Sequence, residues 1–141
     1  MSGVVFVDTN ILIYAHDRDA GAKRERAVKS LRELWDSNLG ALSVQVLQEF
    51  YVNATRKLAS PVAVPIAREV VETSGTWIRA ATTVQTITRA SNLAELAQLS
   101  FWDAMIVASA EEAGASQIYT EDLNAGQSLA GILVVNPLAA A

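Results

Sequence analysis

The sequence predicts an α/β fold, in which a central, mainly parallel sheet is covered by helices on both faces. Three observations carry this reading. Short apolar or β-rich runs, Val4 to Val7, Gln117 to Thr120 and Ile132 to Val135, are separated by segments of helical periodicity. The first run, Val4-Val5-Phe6-Val7, is continuous rather than alternating, as a strand buried on both sides must be. Four acidic residues, Asp8, Glu49, Asp103 and Asp122, end such runs or sit inside apolar helical stretches. In an open parallel sheet, ligand sites form beyond the carboxyl ends of the strands.

The elements follow in chain order. Val4 to Val7 reads as the first strand, with Asp8 at its C-terminal end. Asn10 suits the cap of a short helix over Ile11 to Ala15. A longer helix is expected from about Ala20 to Ser37, because Ala27, Val28, Leu31, Leu34 and Trp35 keep helical spacing. Leu39 to Leu42 is a candidate second strand. Ser43 then caps a helix running to Leu58, with Val44, Leu47, Tyr51, Ala54 and Leu58 on one stripe. Glu49 falls off that stripe, in line with Gln45 and Asn53 at i±4. Pro61 and Pro65 break the chain, and Pro65 suits the first turn of a helix near Ile66 to Thr73, weakened at its end by Gly75. Thr82 to Ile87 is rich in β-formers, and a helix from about Thr88 to Leu99 follows. Ser100 opens another helix, apolar all round to Ala113, with Gly114 as its stop. Asn136-Pro137 ends the last strand.

Composition bounds the function. At 141 residues, the chain reads as a single domain spanning 1–141. Its 51% hydrophobic content supplies a core, which excludes a disordered chain. The absence of cysteine removes disulfides, thiolate catalysis and cysteine zinc sites, and fits a reducing, cytoplasmic setting. No apolar run approaches the roughly 20 residues that cross a bilayer, and no basic segment followed by a long apolar one marks a secretory signal. Net charge is −4, unlike that of a bulk nucleic-acid binder. The charge is uneven: residues 1–89 hold all 11 basic residues against 9 acids, whereas residues 90–141 hold 6 acids and no base. Arg18, Lys23, Arg24, Arg26, Lys29 and Arg32 cluster, either as a face for a phosphate backbone or as a solvated helix face.

Each acid has an ordinary explanation. Asp8 suits an Asx turn or shared capping with Asn10. Asp103, three residues after Ser100, fits a capping box. Asp122 fits a turn within Glu121 to Gly126. Glu49 has the least reason to stand in its apolar, aromatic-flanked helix unless it faces solvent. The four together are less ordinary, because a buried carboxylate must be paired, protonated or metal-bound. At an effective dielectric near 20, two unit charges about 4 Å apart repel by roughly 4 kcal/mol. Several such pairs would strain a fold stable by only ~5–15 kcal/mol. Convergence of the acids therefore implies a divalent cation and chemistry on a phosphate. Carboxylate oxygens without imidazole or thiolate suit Mg²⁺ or Mn²⁺ better than Zn²⁺. His16, the only histidine, is a poor zinc anchor and excludes a histidine-based nuclease or a Ser-His-Asp hydrolase. Neither a G-x-x-x-x-G-K-[ST] nor a G-x-G-x-x-G loop is present.

Four segments carry a resemblance: Val5-Phe6-Val7-Asp8-Thr9-Asn10-Ile11-Leu12, Gln45-Val46-Leu47-Gln48-Glu49-Phe50, Ser100-Phe101-Trp102-Asp103-Ala104-Met105-Ile106-Val107, and Tyr119-Thr120-Glu121-Asp122-Leu123-Asn124-Ala125-Gly126-Gln127. In order and spacing they resemble the PIN-domain family, and within it the small VapC-type toxins of bacterial toxin–antitoxin pairs. The resemblance spans nearly the whole chain, including Gly131 to Pro137. It implies a three-layer α/β sandwich and a Mg²⁺- or Mn²⁺-dependent endoribonuclease leaving a 5′-phosphate and a 3′-hydroxyl. It carries the catalytic role onto Asp8, Glu49, Asp103 and Asp122. Asp8, Asp103 and Asp122 are the implied metal ligands, with Glu49 direct or water-mediated. Asn10 and Thr120 are implied to orient carboxylates or water. Glu121 falls outside the site, since Asp122 holds the matching position. Arg18, Arg24 and Arg26 are candidates to hold the RNA backbone.

The resemblance also implies a cognate antitoxin whose tail occupies the active-site groove, and a homodimer. Trp35, Trp77, Tyr51 and Phe50 are candidates for its contact surface, though the sequence alone favours the core for each. After Asn136-Pro137 the chain departs from its relatives, with Leu138 and alanines where an aromatic is usual. Two rival folds are disfavoured. A phosphoacceptor receiver domain needs a late lysine, but the last is Lys57. A haloacid-dehalogenase-type phosphatase needs an aspartate two residues after the first, where Asn10 stands. A non-catalytic RNA- or protein-binding PIN-like module remains the alternative.

Overall fold

The computed structural model describes residues 3–140. Strand β1 (Val4–Val7) leads into helix α1 (Thr9–His16), followed by α2 (Ala22–Ser37) and the short strand β2 (Gly40–Ala41). Next come α3 (Val44–Arg56), α4 (Val64–Ser74) and a 3₁₀ turn over Gly75–Trp77, then α5 (Val84–Ala97) and α6 (Phe101–Glu112). Strands β3 (Ala115–Tyr119), β4 (Ser128–Leu129) and β5 (Ile132–Val135) complete the order.

The five strands form one sheet in the order β2-β1-β3-β5-β4, parallel except for β4. The chain leaves β1 toward β2 on one side and returns to β3 on the other. The switch point of the topology is therefore the β1/β3 pair, where sites form in such sheets. Val5, Phe6 and Val7 are all buried, as continuous apolar strands covered on both faces must be. The three-layer expectation holds: a mainly parallel sheet lies between helices.

Several elements differ from the sequence expectation. Helix α1 starts at Thr9, and Asp8 rather than Asn10 caps it, its carboxylate accepting the Thr9 N–H at 2.7 Å. This frees Asn10 to reach across the sheet edge. In α3 the buried stripe is Val46, Leu47, Phe50 and Ala54, while Val44 is exposed. The rotation follows from the helix packing on α1 through the Phe50 side. Thr82 to Ile87 forms no strand. Instead Thr83 and Thr86 close a reciprocal cap that starts α5, and the Thr86 hydroxyl donates to Glu112 Oε1 at 2.7 Å. Threonine's β preference yields here to its capping chemistry. Strand β4 escaped the sequence reading. It forms a hairpin with β5 through Ala130-Gly131, both with positive φ (51° and 79°), as a two-residue primed turn demands.

Phe50 and Trp77 belong to the core, whereas Trp35 is 44% exposed and stacks on Trp77 with centroids 4.7 Å apart. Gly40 is required by this packing, since a Cβ there would lie 2.7 Å from the Trp77 ring. Leu138, which stands where an aromatic was expected, is buried and closes the core's end. No helix among the described residues is long and apolar enough to cross a membrane.

Candidate active site

The register of β1 on β3 builds the site. Val7 pairs with Tyr119, so the next residues, Asp8 and Thr120, leave the sheet side by side. The Asp8 N–H donates to the Tyr119 carbonyl at 3.0 Å, and the Thr120 N–H donates to the Val135 carbonyl at 3.0 Å. Thr120 is fully buried, and its hydroxyl donates to Asp8 Oδ2 at 2.8 Å. Thr120 Oγ1 also accepts the Asp122 N–H at 3.0 Å and lies 3.4 Å from Asn10 Nδ2. Asn10 Nδ2 also donates to Asp122 Oδ2 at 3.0 Å, and its Oδ1 accepts the Glu121 N–H at 3.3 Å. Thr9 faces the other way and donates to Glu49 Oε1 at 2.8 Å. The tripeptide Asp8-Thr9-Asn10 thus supplies one anion and aims two others.

Asp8, Glu49, Asp103 and Asp122 line one cavity of about 220 Å³, with Thr9, Asn10, Ile13, Gln45, Asn53, Trp102 and Ile106. Gln45, Glu49 and Asn53 share one face of α3, as their i±4 spacing indicates. Asn53 Nδ2 donates to the Glu49 carbonyl at 2.7 Å. Asp103 sits in the first turn of α6, where Ser100 Oγ accepts its N–H at 3.1 Å. Only this half of a capping box forms, and the Asp103 side chain faces the cavity. No lysine, arginine or histidine lines it among the described residues. Burial pushes the Asp8 carboxyl up to about 6; the Thr120 and Thr9 hydrogen bonds oppose the rise, and the Asp122 and Glu49 carboxylates add to it.

An oxygen-only donor set with no neutralising side chain fits a hard divalent cation and does not fit a soft one. In the conformation described, no group of three or more acidic or imidazole side chains closes on a single point among the described residues.

Glu121 stands outside the cavity. Its Oε1 accepts from the Tyr14 hydroxyl at 2.6 Å and its Oε2 pairs with Lys23 Nζ at 2.6 Å. Burial opposes ionisation there, but the Lys23 and Tyr14 bonds hold the Glu121 carboxyl below its ordinary range. Arg18, Arg24 and Arg26 do not line the cavity either. Arg18 and Arg24 are exposed, while Arg26 donates to the Leu138 carbonyl at 3.3 Å. His16 ends α1, with Nδ1 2.8 Å from the Leu12 carbonyl and its ring edge-on to Phe50. Thr9 and Trp102 were not singled out from sequence. Thr9 was legible only as the middle of Asp-Thr-Asn, and Trp102 only as the neighbour of Asp103.

The chain matches the family model described as PIN domain over residues 5–127. No curated protein matches it in sequence. Solved structures of similar fold include a toxin–antitoxin complex from Klebsiella pneumoniae, with 22% identity and a TM-score of 0.66, covering 96% of this chain and 98% of that one. They also include VapC20 of Mycobacterium tuberculosis, described as a sarcin-ricin loop cleaving toxin, with 22% identity and a TM-score of 0.62, covering 84% and 89%. A third is FitAcB from Neisseria gonorrhoeae, with 18% identity and a TM-score of 0.64, covering 95% and 98%.

Proposed function

This chain belongs to the PIN domain family, and from that premise we propose that it is a Mg²⁺- or Mn²⁺-dependent endoribonuclease, the toxin of a toxin–antitoxin pair, acting as a single domain in the cytoplasm. The observation that carries the proposal is the lining of one cavity by Asp8, Glu49, Asp103 and Asp122 at the sheet's switch point, without a cationic side chain. The toxin–antitoxin complexes among the structural neighbours support the reading and suggest an antitoxin partner for this chain; the homodimer is part of the proposal on the family resemblance alone.

Asp8, Asp103 and Asp122 would hold the cation, with Glu49 beside them. The chemistry supplied by a divalent ion, when bound, is acidification of a water and screening of charge on the phosphate. The chain's residues do the rest. Thr120 fixes the Asp8 carboxylate by a bond to Oδ2. Asn10 holds Asp122 and so sets its approach to Asp8. Thr9 occupies Glu49 Oε1 and leaves Oε2 for the cation, directly or through a water. Such preorganised groups lose little freedom as charge develops. RNA preference comes from substrate shape, since no 2′-hydroxyl attack is involved.

The test is purified protein with Mn²⁺, or with EDTA, against total RNA, followed by mapping of the new ends. Discrete cuts bearing 5′-phosphates in Mn²⁺ alone are expected. An RNA pool unchanged across metals, with RNA still bound, would instead mark a binding module.

A further inference from the structure

One large aromatic stands at the mouth of the acidic cavity. Trp102 is 63% exposed, immediately precedes Asp103, and lines the same cavity as the four acids. Gln45 Nε2 reaches its carbonyl at 3.5 Å, tying the start of α6 to α3, and the Phe101 ring packs edge-on at 5.2 Å and 76°. Scattered exposed apolar residues need no explanation. This one combines an exposed ring with a backbone contact to α3 at the rim of an anionic cavity of about 220 Å³. With no lysine or arginine in the cavity, a nucleic acid gains little there from side-chain cations. Grip must come from another source, and base stacking on an aromatic face is the one Trp102 offers.

We propose that Trp102 is a stacking platform for an unpaired nucleobase flanking the phosphate that enters the acidic cavity. The proposal rests on the nuclease reading above and names a residue within it that positions the substrate: bases stacked inside a duplex cannot reach the ring, so Trp102 acts only on an unpaired base. The indole takes any base, which gives a preference for unpaired geometry rather than for one nucleotide.

The test is calorimetric titration of 5′-AMP and of ribose 5-phosphate in Mn²⁺ into the wild type, Trp102→Phe and Trp102→Leu. Base stacking predicts AMP binding about fivefold or more tighter than ribose 5-phosphate in the wild type. The preference should persist in part in Trp102→Phe and vanish in Trp102→Leu, while Mn²⁺ affinity and melting temperature stay unchanged. Equal binding of the two probes by the wild type, a preference that survives in Trp102→Leu, or no binding of either probe would each overturn the platform. Each of those results is separate from the nuclease reading, which is decided by RNA cleavage in Mn²⁺.

Discussion

The Thr120 hydroxyl donates to Asp8 Oδ2 at 2.8 Å across 112 residues of sequence. That bond joins the ends of two neighbouring parallel strands, and Thr120 Oγ1 also accepts the Asp122 N–H. One buried hydroxyl therefore holds both acids of the sheet edge. Thr120→Val keeps the shape and removes the hydroxyl, leaving a buried carboxylate oxygen without its donor. It should destabilise the fold by about 1–3 kcal/mol in urea unfolding with EDTA. Thr120→Ser should recover most of the loss. Equal stability of the Val variant and the wild type would contradict this role.

Asp8 makes the apoprotein's stability depend on pH. Burial raises its carboxyl to about 6 in the folded protein, against an ordinary 3.8. The folded state then binds the proton more tightly. Stability from this group is present below about pH 4 and is lost as pH rises through about 6. A shift of this size corresponds to about 3 kcal/mol at most. In EDTA, Asp8→Asn should therefore be more stable than the wild type at pH 7.5, by about 1–2 kcal/mol, with the difference closing near pH 4.5. Denaturant midpoints across that range check it, and a constant difference would exclude Asp8 as the source.

Glu121 and Asp122 are adjacent in sequence yet differ in role. Glu121 is held by Lys23 and Tyr14 away from the cavity, and Asp122 lines it. Glu121→Gln should cost less than about 1 kcal/mol, as exposed pairs do, and leave RNA cleavage within about twofold. Asp122→Asn should cut cleavage by at least about tenfold. Rates for the two variants in one Mn²⁺ assay separate the assignments, and the reverse order would refute them.

The shared placement of the four acids was more legible in the sequence than some of the fold. Asp8 follows a continuous apolar run, which put an acid at a strand end whether it caps the next helix or serves a site. Glu49, Gln45 and Asn53 showed a shared helix face by spacing alone. Other features needed three dimensions. Thr82 to Ile87 has the composition of a strand, yet the Thr83–Thr86 cap and the Thr86–Glu112 bond between α5 and α6 make it a helix start. The stripe of α3 was displaced because Val44 and Val46 are equally apolar, and only packing decides which is covered. Strand β4 has two residues and no periodicity to detect. The basic cluster showed charge but not direction, and its arginines do not line the cavity.

Trp77 lies against the β2 backbone. A Cβ on Gly40 would meet its ring at 2.7 Å. The ring is buried and the Gly40 backbone is paired with β1, so relieving the contact must move one of the two. Gly40→Ala should cost about 1–3 kcal/mol by overpacking. Thermal melting checks this, and an unchanged midpoint would mean that the Trp77 contact is softer than the geometry states.

The central claim is that four acids distant in sequence act as one cation site. Its most direct measurement is a Mn²⁺ titration at pH 7, by calorimetry, of the wild type and of Asp8→Asn, Glu49→Gln, Asp103→Asn and Asp122→Asn. Each variant should bind Mn²⁺ at least about tenfold more weakly than the wild type. Wild-type protein that takes up no Mn²⁺ at millimolar concentration, or variants that bind it as tightly as the wild type, would contradict the account.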